Sequence, residues 1–193
     1  MNVKYILRPA FTLFIIAAVT IAALGVAHTL TLEPIETKKR GVREAAMREV
    51  LPLAADYREI PLPESLRDRG SIAAVYRGES GGELCGYVVQ CAPEGYGGVI
   101  DILVGISAPG ASSGEKITGM RVLRHSETPG LGALAVKEDF YRRFDGKPLV
   151  PLGVARNSPG ENDIQAITSA TITSRAITGA VNEAIEWYRS GVK

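Results

Sequence analysis

Histidine is nearly absent from this chain: there are two in 193 residues, and His28 lies at the end of a long apolar run. That leaves His125 as the only imidazole available to a folded domain, which excludes any site built on two histidine ligands. Cysteine is equally scarce, and Cys85 and Cys91 flank a strand-like stretch from Gly86 to Gln90. Six residues of extended chain span roughly 20 Å, whereas bridged Cα atoms lie within about 7 Å, so a disulfide requires the chain to bend between them. A metal site from two thiols without a nearby histidine has still less support. Neither sign of charge dominates, with 22 Lys+Arg against 21 Asp+Glu. No basic stripe interleaved with aromatics appears, so nucleic acid is not an expected partner. There is no Gly-x-Ser-x-Gly elbow to support a serine hydrolase with His125 as base. Gly130-x-Gly132 lacks the third glycine of a dinucleotide fingerprint.

What the chain does have is one apolar run. From Pro9 to Leu32 no side chain carries a formal charge, and a helix of that length crosses about 30 Å of hydrocarbon. The rival reading is a cleaved signal segment, with Lys4 and Arg8 as its basic start and Gly25-Val26-Ala27 as its cleavage site. The anchor is the preferred reading. Lys4 and Arg8 precede the run and Lys38, Lys39, Arg40 and Arg43 follow it, so the charge rule does not decide orientation. Residues 34–50 read as a juxtamembrane, solvated connector helix with Val42, Ala46 and Val50 on one face. The stretch Pro52 to Pro63 then separates this stalk from the domain proper. The expected division is a cytoplasmic N-terminus over 1–8, a transmembrane helix over 9–32, a stalk over 33–63 and one globular domain over 64–193.

Within that domain, Ser71 to Arg77, Cys85 to Gln90, Val99 to Ser107 and Lys116 to Leu123 are rich in Val and Ile and divided by Gly, Pro and Ser turns. They predict a largely antiparallel sheet. Ala135 to Phe144 predicts a short helix. Thr173 to Tyr188 predicts a longer one, with Ile177, Val181, Ala184, Ile185 and Tyr188 as an apolar stripe. The class is α+β, with helices packed on one side of the sheet.

Three segments can carry chemistry. Thr168-Ser169-Ala170-Thr171-Ile172-Thr173-Ser174 stands immediately before the C-terminal helical pattern. Capping of that helix explains any one of these hydroxyls. One cap does not need all of them, and a helix N-terminus, with free N–H donors and partial positive charge, also seats a phosphate. His125-Ser126-Glu127-Thr128-Pro129-Gly130-Leu131-Gly132 links a strand to a helix. It reads either as a tight loop or as backbone that approaches a flat ligand. The same two readings apply to Gly95-Tyr96-Gly97-Gly98.

Taken in order, these segments resemble the FMN-binding domain shared by the G subunit of the Rnf ion-translocating ferredoxin:NAD oxidoreductase and the C subunit of the Na+-translocating NADH:quinone reductase. The likeness runs through the N-terminal anchor, Glu36-Thr37-Lys38, Gly95-Tyr96-Gly97-Gly98, Glu127-Thr128-Pro129-Gly130-Leu131-Gly132 and Ser169-Ala170-Thr171. It implies FMN held by a phosphoester to Thr171, which makes the chain a phosphoprotein, installed by a flavin transferase. Thr173 is the fallback acceptor. Thr168, Ser169, Ala170, His125, Glu127, Thr128, Gly130, Leu131, Gly132, Tyr96 and Gly97 are then expected around the cofactor. Ser169 stands where glycine is usual, and Gln165 where aspartate is common, with Asp163 out of register. The resemblance further implies an electron-transport subunit of a translocase, without turnover of its own. Its partners are the other subunits of the complex and the bilayer, with the soluble domain on the outer face of the cytoplasmic membrane. The short chain favours the Rnf subunit over the quinone-reductase subunit. A non-redox, membrane-anchored flavin sensor and a secreted flavoprotein are the other readings.

Overall fold

A computed structural model describes residues 3–62, 70–110 and 114–191. The boundary expected between residues 63 and 64 lies outside them. The chain divides into two compact units, Met1–Val42 and Arg43–Lys193. The first is helical and contains Pro9–Val26, a stretch long and apolar enough to cross a membrane, with mean hydropathy 2.3. Helix α1 runs Val3–Val50. It stops there because Pro52 lacks an N–H donor and disfavours helical geometry at Leu51.

The second unit is built on a five-stranded antiparallel sheet in the order β1-β2-β3-β4-β5. The strands are β1 (Asp56–Ile60), β2 (Ile72–Ser80), β3 (Glu83–Cys91), β4 (Asp101–Ser107) and β5 (Ile117–Arg124). Alternate residues face opposite sides of a strand, and both faces are apolar here. Tyr87, Val89, Ile102, Val104, Ile106 and Met120 point into the main core. That core is closed by helix α2 (Glu138–Tyr141), through Phe140, and by helix α3 (Thr171–Gly191), through the expected stripe Ile177, Val181, Ala184, Ile185 and Tyr188. A short parallel pair, β6 (Gly153–Ala155) and β7 (Asp163–Gln165), leads into α3. The helical pattern expected from Ala135 to Phe144 is broken: Lys137 is extended at ψ 146°, between a 3-10 turn over Gly132–Val136 and α2.

Helices cover both faces of the sheet, where the sequence reading placed them on one. On the second face, Met47, Val50, Leu51 and Ala54 pack with Tyr76, Val88 and Leu103. The end of α1 can come this close because Gly105 has no side chain, and a Cβ there would meet the Val50 carbonyl oxygen. The last carbonyls of a helix have no partner within it. Thr118 donates its hydroxyl to that same Val50 oxygen, and the Tyr57 hydroxyl donates to Leu51 O at 3.0 Å. The sheet therefore recruits residues that the sequence reading assigned to a solvated stalk. Cys85 and Cys91 are free thiols on one strand, the first half-buried and the second fully buried. Burial pushes the Cys91 thiol up to about 12, and the neighbouring Glu183 carboxylate acts in the same direction.

Candidate functional site

A cavity of about 700 Å³ opens at the N-terminal end of α3, within the range of roughly 300–1,000 Å³ typical of small-molecule sites. Its floor is the run Ala166 to Thr173, and Glu127, Thr128, Leu131, Gly132, Arg156 and Asn157 complete the lining. Tyr96 stands at the rim, largely exposed.

The floor is held at both ends. The Ala166 N–H donates to Ala155 O at 2.8 Å, which extends the β6-β7 pairing. The Ile167 N–H donates to the Ser174 hydroxyl at 2.9 Å, and that hydroxyl donates to Ala170 O at 3.0 Å. Ser174 thus staples the approach loop to the first turn of α3. Between these anchors Ser169 adopts φ +62°, a left-handed conformation that costs an L-residue with a side chain roughly 1–2 kcal/mol. Glycine would reach this conformation without that steric cost.

The Ser174 N–H donates to Ala170 O at 3.1 Å, so Ala170 occupies the cap position. Its methyl group cannot accept a hydrogen bond. Among the described residues, nothing accepts from the amides of Thr171, Ile172 or Thr173, and the hydroxyls of Thr168, Ser169 and Thr171 have no partner. Capping therefore does not account for these hydroxyls. The helix presents free donors and its partial positive charge to the cavity. Arg156 is the one cation among the described lining residues.

Thr173 is different. It is 1% exposed and donates its hydroxyl to Glu127 Oε2 at 2.7 Å. Glu127, 6% exposed, accepts the Gly97 N–H on its other oxygen at 2.9 Å. Thr171, two residues earlier, is half-buried and lines the cavity.

Of the residues expected around a cofactor, the lining brings together Tyr96, Glu127, Thr128, Leu131, Gly132, Thr168, Ser169, Ala170, Thr171 and Thr173. His125, Gly130 and Gly97 are not part of it. The His125 Nδ1 accepts the Glu127 N–H at 3.2 Å, Gly130 makes a turn at φ +78°, and Gly97 acts through its amide. Gly132 serves close packing: a Cβ there would lie 2.1 Å from Glu127 Oε2. Arg156, Asn157, Ala166, Ile167 and Ile172 were not anticipated. Ile172 falls within the hydroxyl-rich segment, and the sequence signal for Arg156 and Asn157 is the turn-forming run Arg156-Asn157-Ser158-Pro159 after a short apolar stretch. Asp163 accepts the Gly160 N–H at 2.9 Å, and Gln165 sits exposed at the end of β7.

The fold and this cavity define a class of protein, since residues 95–186, which include every lining residue, match the FMN-binding domain family. The chain is 35% identical to the G subunit of the Na(+)-translocating ferredoxin:NAD(+) oxidoreductase complex of Acetobacterium woodii, over 97% of this chain and 93% of the relative. It is 34% identical to the G subunit of the ion-translocating oxidoreductase complex of Methanosarcina acetivorans, over 95% of each. The chain belongs to this family of G subunits of ion-translocating oxidoreductase complexes. A crystal structure of Shewanella oneidensis NqrC is similar over 70% of this chain and 67% of that one, with 21% identity and a TM-score of 0.48.

Proposed function

We propose that this chain is an electron-transfer subunit of a membrane-bound, ion-translocating ferredoxin:NAD oxidoreductase, with FMN joined through its phosphate to Thr171. The observation that carries the reading is the first turn of α3. There, free amides, a row of hydroxyls and the partial charge of a helix N-terminus face a cavity of about 700 Å³. A phosphate fits this donor set, because its oxygens need donors and its negative charge is favoured at a helix start. Arg156 adds a formal positive charge to the lining. Thr171 is the acceptor because its hydroxyl is unengaged at the cavity surface, whereas the Thr173 hydroxyl is buried and committed to Glu127.

FMN supplies the redox chemistry when bound, and the chain supplies position and electrostatics. Leu131, Ile172 and Tyr96 offer apolar surface around the opening for a flat ring system, and Glu127 is the one carboxylate among the described lining residues. A covalent tether keeps the cofactor in place where it cannot be resupplied. The Pro9–Val26 stretch anchors the chain as a single membrane span, with the cavity-bearing unit on the outer face and a flavin transferase installing the cofactor.

Intact-mass analysis with in-gel flavin fluorescence tests the attachment, using wild type and Thr171→Val purified from a host that contains the flavin transferase. Wild type is expected to carry the mass of one FMN and Thr171→Val none. Unmodified wild type, or a variant that is still loaded, overturns the attachment site.

A further inference from the structure

Glu127 does more than line the cavity. Its buried carboxylate joins three separate stretches of chain. Oε1 accepts from the Gly97 amide at 2.9 Å, Oε2 accepts from the Thr173 hydroxyl at 2.7 Å, and the backbone of Glu127 lies in the loop between β5 and the 3-10 turn. Two glycines make room for it: a Cβ on Gly95 would stand 2.3 Å from Oε1, and a Cβ on Gly132 would stand 2.1 Å from Oε2 and 2.6 Å from the Thr173 hydroxyl. A buried carboxylate that lost either donor would keep an unsatisfied oxygen. Both donors and both glycines are therefore parts of one device.

We infer that Glu127 is a positioning residue that clasps the 95–98 turn to the first turn of α3, holding the Thr173 hydroxyl in a buried hydrogen bond and leaving Thr171 as the threonine of that turn whose hydroxyl is free. Thr173 is two residues beyond Thr171 on the same helical turn, so fixing the Thr173 side chain fixes the rotation of that turn. That rotation sets where the Thr171 hydroxyl stands. The consequence for flavin loading rests on the attachment proposed above, whereas the clasp itself does not.

The geometry gives conservative substitutions a defined result. In Glu127→Gln the amide oxygen still accepts from Gly97, and the amide nitrogen donates to the Thr173 hydroxyl, which accepts as well as donates. Glu127→Ala removes both links. Thr173→Val removes the link to α3 alone, and Thr173→Ser keeps it.

The test uses the full chain, made with and without the flavin transferase, as wild type and these four variants. Without the transferase, hydrogen–deuterium exchange is followed in the peptide that contains the 95–98 turn. With it, the fraction of chain carrying FMN is read by intact mass. In Glu127→Ala the turn is expected to exchange about tenfold faster or more, consistent with loss of a hydrogen bond to a charged group, and the FMN-loaded fraction to fall. Thr173→Val is expected to lower the loaded fraction as well. Glu127→Gln and Thr173→Ser are expected to restore wild-type behaviour to within about twofold. A Glu127→Ala chain with a protected turn and full loading overturns the inference. So does a Glu127→Gln chain as defective as Glu127→Ala, because charge and not position would then be the active property. If Glu127→Ala fails to fold, the Thr173→Val and Thr173→Ser pair decides by its difference in loading. If wild type carries no FMN, the attachment reading fails, and the exchange arm still judges the clasp.

Discussion

Ser169 holds a positive φ of 62° in the loop that delivers Thr171 to the cavity. Glycine reaches this region without steric cost but loses more conformational entropy on folding, so the two effects partly cancel. Ser169→Gly is expected to stabilise the protein by about 0.5 kcal/mol and to leave the FMN-loaded fraction unchanged. Urea melts of the two proteins check this, and a clear loss of stability would show that the serine hydroxyl supports the loop. Cys91 presents a different kind of residue effect. Its thiol ordinarily titrates near 9.0 and is pushed to about 12 in the folded chain by burial. Between those values the unfolded chain gives up a proton that the folded chain keeps. Stability must therefore fall as pH rises across that window, by about 1.4 kcal/mol per pH unit from this group. Cys91→Ala is expected to flatten the fall in unfolding free energy between pH 9 and 11; an unchanged slope would refute the assignment.

At the level of elements, legibility followed burial pattern. The apolar stretches of β2 to β5 and the stripe of α3 were readable because Val, Ile and aromatic residues recur at the period of the element. β1 was missed because Asp56-Tyr-Arg-Glu-Ile60 is an edge strand with no fully buried residue, so it shows no alternation. β6 and β7 are three residues each, too short to show a period. The cavity was legible where the chemistry is local, in the hydroxyls around the start of α3 and the run from Glu127 to Gly132. Arg156 and Asn157 reach it only through the parallel pairing of β6 with β7, which local sequence does not reveal. The partnership of Glu127 with Thr173 spans 46 positions and was invisible for the same reason. The end of α1 was misassigned because Val42, Ala46 and Val50 suit a solvated helix as well as a buried one. Leu51 decides between them: it is 1% exposed in the second core. Leu51→Ala is expected to cost about 3 kcal/mol in a denaturant titration, whereas an exposed stalk leucine would cost under about 0.5 kcal/mol.

For the whole molecule, the division before Arg43 separates two jobs. Among the described residues, neither core takes a member from before Ala46, and every residue lining the cavity lies at or beyond Tyr96. The first unit holds the one described stretch suited to a bilayer. A chain beginning at Arg43 is therefore expected to be recovered without detergent, to keep the cavity, and to unfold with a midpoint within about 4 °C of the full chain, because the cores are intact. Coexpressed with the transferase, it should load FMN to the same fraction. A chain beginning at Asp56 is only slightly shorter but has a different fate. It loses Met47, Val50, Leu51 and Ala54 together and uncovers Tyr76, Val88 and Leu103. Burial of that many apolar side chains stabilises by several kcal/mol, at about 1.5–3 for each of the larger ones, against a total of only about 5–15 for a typical domain. The shorter chain is expected to aggregate or to melt far below the longer one. Equal midpoints for the two would mean that the α1 terminus does not belong to the fold, and would return residues 43–55 to the role of a stalk.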